Sequence, residues 1–157
     1  MPWFDDVSAG DQAELGQHLF IAEEIIRFAS AFDPQPFHLS EEAGRASIFG
    51  GLAASGWHTV AIWQRLTIEH DLKVSTASER NATPNAPAVR MSDYTELRWL
   101  KPVLAGDTIT YRNTVTDLTE QGAPPGWGIA LILGEGFNQR GERAFHVTAR
   151  QLLKIRA

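Results

Sequence analysis

Hydrophobic and polar positions change period twice along this chain. Residues 16–22, Gly-Gln-His-Leu-Phe-Ile-Ala, predict a short opening strand. From Glu23 the period becomes helical: Ile25, Phe28, Ala29 and Phe32 fall at i, i+3, i+4 and i+7, with Glu23 and Glu24 at the positive N-terminal end. Asp33-Pro34 and Gln35-Pro36 end that helix, because a residue before proline is pushed out of the α region. They hold the next turn extended and present His38 on a stiff segment. Ser40 suits the N-cap of a short second helix, with Glu41 and Glu42 in its first turn and Gly44 limiting its stability. After Phe49-Gly50-Gly51, the proline-free stretch from Leu52 to His70 spreads Trp57, Val60, Ala61, Trp63 and Leu66 over much of a helix surface, which predicts a buried helix. Residues 73–87 are rich in Ser, Thr, Asn, Ala and Pro and read as a long exposed excursion, mobile or acting as a flap.

The second half alternates with period two. Leu97 and Trp99 alternate with Glu96 and Arg98, and Ile109, Tyr111 and Val115 alternate with Thr and Arg. Phe145, Val147, Ala149, Leu153 and Ile155 share one parity, while residues 129–133 are apolar on both faces. The separators, such as Lys101-Pro102, Ala105-Gly106-Asp107 and Asn138-Gln139-Arg140-Gly141, have turn chemistry. Four long strands with short connections predict antiparallel pairing, so the expected class is α+β, with a curved antiparallel sheet of about five strands wrapping the long helix.

Composition narrows what such a fold does. At 157 residues, without repeat or linker, the chain fits one domain over 1–157. It contains no cysteine, which removes thiolate catalysis, disulfides and Cys-based zinc, and fits a cytoplasmic location. The N-terminus has no basic or continuous apolar segment, and no run approaches a membrane span, so a soluble, unexported protein is expected. A net charge of −5 with scattered Lys and Arg argues against nucleic-acid binding. Five Trp and eight Phe are enough to line a core and also a sizeable pocket or subunit interface.

Two stretches carry candidate chemistry. Asp33 and His38, five residues apart on a proline-braced turn, can face one cleft and share a water. Near neutral pH such a pair accepts one proton and donates another, as adding water to an activated double bond requires. The same residues also fit a helix cap and an ordinary loop histidine. Ala53-Ala54-Ser55-Gly56 permits close backbone approach at the start of the long helix, where unpaired N–H groups suit a carbonyl oxygen acquiring charge. Tight helix–sheet packing explains the same glycine. His58 and His70 lack an i, i+4 partner, and His18 and His146 fall in strands, so no metal is expected. There is no nucleophile elbow at Ser55-Gly56-Trp57, and no phosphate loop at Gly50-Gly51.

The run from Phe28 to His38, the Phe49-Gly50 pair and the Ser55-Gly56 entry resemble the MaoC-like dehydratases, the (R)-specific enoyl-CoA hydratases of the hot-dog fold. The family pattern is an apolar helix, Gly-Asp-x-Asn-Pro-x-His, and a helix-opening Gly eighteen residues after the His. Asp33, Pro36 and His38 match, and Gly56 falls at that distance. The stretch from Leu97 to Val103 and Ala105-Gly106-Asp107 also resembles the family's strand, turn and strand. The resemblance implies a helix wrapped in a sheet, a homodimer with its site at the subunit interface, and hydration of a trans-2-enoyl-CoA to the (R)-3-hydroxyacyl-CoA. It implies Asp33 and His38 as the proton-transfer pair, either being the base, and the Gly56 amide as holder of the thioester oxygen. It requires no cofactor beyond the coenzyme A of the substrate. Phe32 stands for the family's Gly, Gln35 for its Asn and Ser55 for the usual His.

Gln35, Phe37, Ser55 and Trp57 are accordingly expected to contact substrate, with Phe32 and Phe37 narrowing an acyl pocket. Two other readings remain. A hot-dog thioesterase places a carboxylate beside the central helix, whereas Glu69 and Asp71 lie at its far end. A thioester-binding or subunit-pairing module without chemistry has no need of Asp33, His38 and Gly56 together.

Overall fold

The structure, a computed structural model, describes residues 3–78 and 90–156. A single 3-10 turn at Phe4–Asp6 leads into β1 (Gln12–Leu19), α1 (Ala22–Phe32), α2 (Pro36–Leu39), α3 (Glu41–Ala46) and α4 (Gly56–Ser78). Four strands follow: β2 (Arg90–Trp99), β3 (Thr108–Thr119), β4 (Trp127–Phe137) and β5 (Arg143–Lys154). All pair antiparallel in one sheet of order β1-β3-β4-β5-β2. This is the hot-dog arrangement of a long helix against a five-stranded sheet.

The β3–β4–β5 meander behaves as its alternation predicts. Ile109 and Tyr111 of β3 and Phe145, Val147, Ala149 and Leu153 of β5 are buried. Trp63 and Leu66 of α4 join Phe20, Ile25 and Leu52 in the core that includes most of these residues. The helix lies close on the sheet at Gly134, where an added Cβ would come within 2.4 Å of the Trp63 ring. The Trp63 indole N–H donates to Asn113 Oδ1 (2.7 Å), and the Tyr111 hydroxyl donates to the Thr59 carbonyl (3.2 Å). Each buried ring therefore keeps its polar atom satisfied. Burial raises the pKa of the Tyr111 phenol, keeping it a neutral donor.

Several boundaries differ from the sequence expectation. The opening strand begins at Gln12 rather than Gly16, because residues 12–14 already pair with Asn113 and its neighbours and Gly16, at φ 116°, forms a bulge inside the strand. The proline-braced turn is not wholly extended. Gln35 is extended, but Pro36 opens one turn of helix, since its fixed φ and missing N–H suit a first helical position. Ser40 caps α3 as expected, accepting from the Ala43 N–H (3.1 Å). The long helix starts at Gly56, not Leu52, because residues 52–54 are extended. Residues 73–78 continue α4 instead of joining an exposed excursion, and residues 79–87 of that stretch lie outside the described residues. The Lys101–Asp107 turn joins no hairpin: β2 pairs with β5 at the far edge, and β3 pairs with β1 and β4. No helix among the described residues is long and apolar enough to cross a membrane.

Candidate active site

Three backbone segments meet at one end of α4. Asp33 is the residue that ends α1, its N–H still bonded to the Ala29 carbonyl (2.9 Å) while Pro34 prevents another turn. His38 rides on α2. The extended segment 52–54 is fixed on both sides, by Ala53 N–H to Phe37 O (3.1 Å), Ala54 N–H to Val103 O (2.7 Å) and Ala105 N–H to Leu52 O (2.9 Å). That pinning sets the position of Ser55 and Gly56 relative to the Asp–His turn.

His38 is 5% exposed, and its Nδ1 lies 2.7 Å from the Ala53 carbonyl. A carbonyl only accepts, so Nδ1 carries the hydrogen and Nε2 is the nitrogen left for exchange. Nε2 stands 3.3 Å from Asp33 Oδ2. The Ser55 hydroxyl donates to the same oxygen at 2.7 Å, and the Gln35 amide donates to Oδ1 at 2.9 Å. Partial burial works to raise the Asp33 pKa. The bonds from Ser55 and Gln35 and the charge of His38 outweigh it and hold the carboxyl below its ordinary value.

Ser55, 1% exposed, has a second role: its Oγ accepts the Trp57 N–H (3.2 Å) and its carbonyl accepts the His58 N–H (3.0 Å), so it caps α4. No hydrogen bond to the Gly56 N–H is found among the described residues. The glycine also has a packing reason. An added Cβ would lie 2.4 Å from Trp99 Nε1, so the indole covers the helix start only because no side chain is there.

Asp33, His38 and Gly56 line one cleft of about 430 Å³. Phe49, Trp57 and Trp99 supply aromatic wall, and Leu100 to Val103 close another side. Of the residues expected to contact substrate, Gln35 and Trp57 line the cleft. Ser55 does not: it is buried behind the wall, where it orients Asp33 and caps the helix. Phe37 does not line it either, because its ring packs edge-on against His38 (4.6 Å) and Phe49 (5.0 Å). Phe32 points to solvent, 73% exposed, so neither phenylalanine narrows the cleft.

Sequence reasoning missed Trp99 and the Leu100–Val103 wall. Trp99 keeps the helix-facing side that its alternation with Leu97 predicts, since it pairs with the buried Phe145 beyond an extra residue that β2 carries between Thr95 and Arg98, where Glu96 has φ 53°. On this edge strand its indole is half exposed at the cleft, meeting Trp57 edge-on at 5.3 Å.

Comparison with known proteins agrees with this geometry. The model of the MaoC like domain family matches residues 10–124. The structure of the MaoC-like dehydratase from Rhodospirillum rubrum superposes with a TM-score of 0.82 at 36% identity, covering 100% of this chain and 99% of that one. The (R)-hydratase from A. caviae involved in PHA biosynthesis has the same fold, with a TM-score of 0.66 at 23% identity over 96% of this chain and 98% of its own. The Bacillus subtilis (strain 168) protein YdeM, itself uncharacterised, is 29% identical over 135 residues, 84% of each chain.

Proposed function

This chain belongs to the MaoC-like domain family, and we propose that it adds water reversibly to a trans-2-enoyl thioester, giving the (R)-3-hydroxyacyl thioester. Family membership and the hydratase fold support a hydratase or dehydratase role. The observation that carries the finer reading is the convergence of Asp33, His38 and an uncommitted Gly56 N–H on one cleft.

Hydration needs a proton removed from water as its oxygen bonds to C3 of the acyl chain, and a proton delivered to C2. With Nδ1 held by Ala53, the His38 Nε2 and the Asp33 carboxylate share the proton from water, and the same pair returns one to C2. Protons taken and given balance, so no cofactor is required beyond the coenzyme A of the substrate. As water adds, the thioester oxygen gains enolate charge. The Gly56 N–H, at the positive end of a 23-residue helix, is suited to donate a hydrogen bond to that oxygen. Ser55 and Gln35 hold the carboxylate in place during both transfers.

Trp57, Trp99 and Leu100 leave large apolar surfaces at the mouth of the cleft. This supports a homodimer in which a second copy completes the wall. The test is a hydration assay over enoyl-CoA substrates of increasing length, following loss of the conjugated thioester absorbance. Saturable loss with (R)-3-hydroxyacyl product supports the reading. Release of free thiol without hydration indicates a thioesterase, and binding without either reaction indicates a thioester-binding module.

A further inference from the structure

A second cluster of chemistry-bearing side chains lies where β1, α1 and α4 meet. His18 comes from β1, Glu24 from the first turn of α1 and His58 from the first turn of α4. One ligand atom from each lies within 4.8 Å of the others. None of the three lines the active-site cleft. The histidine spacing along the chain gives no metal motif, because the fold rather than the sequence gathers these ligands.

The geometry points to a divalent transition-metal site of His–Glu–His type, suited to zinc, at this junction. Two imidazoles and one carboxylate are a zinc donor set that leaves the fourth position to water. Zinc bonds of about 2.0–2.2 Å set tetrahedral ligand atoms roughly 3.5 Å apart, so His58 and the other two need to close by about an ångström, while the His18 Nε2–Glu24 Oε2 pair, now at 2.8 Å, opens by somewhat less.

His58 supplies a second, independent observation. It is 3% exposed, its Nδ1 is buried without a hydrogen-bond partner, and no bond to its Nε2 is found among the described residues. Leaving a buried imidazole unpaired carries a desolvation cost that a metal bond removes. Its ring is already held, stacked on Phe28 at 4.5 Å and edge-on to Phe20 at 5.0 Å, so little freedom is lost on binding.

Two features compete with the metal. His18 Nε2 and Glu24 Oε2 are 2.8 Å apart, with a proton between them where the metal would sit. Arg65 Nη2 approaches His18 Nδ1 at 3.5 Å, which favours that proton placement, and Arg27 adds positive charge nearby. Metal binding at Nε2 moves the ring hydrogen to Nδ1, which then needs an acceptor that an arginine cannot offer. Arg65 is half exposed and also pairs with Glu69 at 3.6 Å, so it can swing away. Replacing it by glutamine, whose carbonyl accepts, should therefore tighten binding.

The experiment titrates the metal-free full chain with Zn2+ by calorimetry and repeats it with Co2+ by absorption. The expected result is one saturable equivalent, a tetrahedral Co2+ spectrum, at least tenfold weaker binding in Glu24→Gln and His58→Phe, and severalfold tighter binding in Arg65→Gln. His70→Gln and His146→Gln leave the affinity unchanged. Glu24 is partly exposed, so its variant stays informative even where His58→Phe disturbs the core. No saturable binding, equal affinity in Glu24→Gln, or loss of binding in His70→Gln or His146→Gln overturns the site.

Discussion

Ser55 donates its hydroxyl to Asp33 Oδ2 at 2.7 Å, the same oxygen that faces His38 Nε2 at 3.3 Å. One buried serine thus ties the candidate acid–base pair to the first turn of the central helix. Ser55→Ala removes a hydrogen bond to a charged group and a helix cap. Loss of that bond raises the Asp33 pKa, so the acidic limb of the kcat/KM profile moves to higher pH. Activity at neutral pH falls roughly tenfold or more, and the helix cap costs about 1 kcal/mol. An unmoved pH profile in Ser55→Ala contradicts this positioning role.

Acid stability follows from two carboxylates. Burial works to raise the Glu135 pKa, but bonds from Arg112 (2.7 Å) and Arg143 (2.9 Å) outweigh it, as Ser55, Gln35 and His38 do for Asp33. Both folded pKa values therefore lie below the unfolded ones. Such a group's stabilisation is complete above its unfolded pKa and is lost as pH falls through the folded one. Urea midpoints are expected to drop on acidification below about pH 5. Glu135→Gln flattens that dependence and lowers stability at pH 7 by about 2 kcal/mol, a figure discounted for the part-exposed arginines. Parallel curves for variant and parent contradict the assignment.

Gly56→Ala tests the close approach of Trp99. A methyl placed 2.4 Å from the indole nitrogen forces the ring out of the cleft wall, at about 1–3 kcal/mol. Tryptophan emission changes with it. In a Trp99→Phe background the cost shrinks, because the atoms it meets are gone. Equal costs in both backgrounds show that the glycine serves something other than this contact.

Much of the fold was readable because its periods are clean. Ile25 and Ala29 of the α1 stripe, Trp63 and Leu66 of α4, and the alternating residues of β3 and β5 are buried as their spacing requires, while Phe32 and Trp57, at the ends of the two helical patterns, are exposed. The Asp–His turn was legible from two prolines. What failed were features set by partners distant in sequence. Trp99 keeps its parity opposite Phe145, but its place in the cleft is set by Gly56 and Trp57 of α4, and Pro36 used its fixed φ to begin a helix instead of prolonging an extended turn. Phe32 and Phe37 looked like pocket residues from their neighbours in sequence, yet α1 turns one to solvent and the other packs against Phe49. The approach of His18, Glu24 and His58 has no signature along the chain, since β1, α1 and α4 each contribute one residue.

The central claim is that Asp33 and His38 act as one proton-transfer unit on an enoyl thioester. The most direct measurement is kcat for hydration of crotonyl-CoA by Asp33→Asn, His38→Gln and the double variant, each checked for folding by circular dichroism. General acid–base catalysis is worth about 10²–10⁴ in rate, so each single variant is expected to lose at least a hundredfold. The double variant should lose little more than either alone, because the residues work as a unit. Full activity in both single variants contradicts the account.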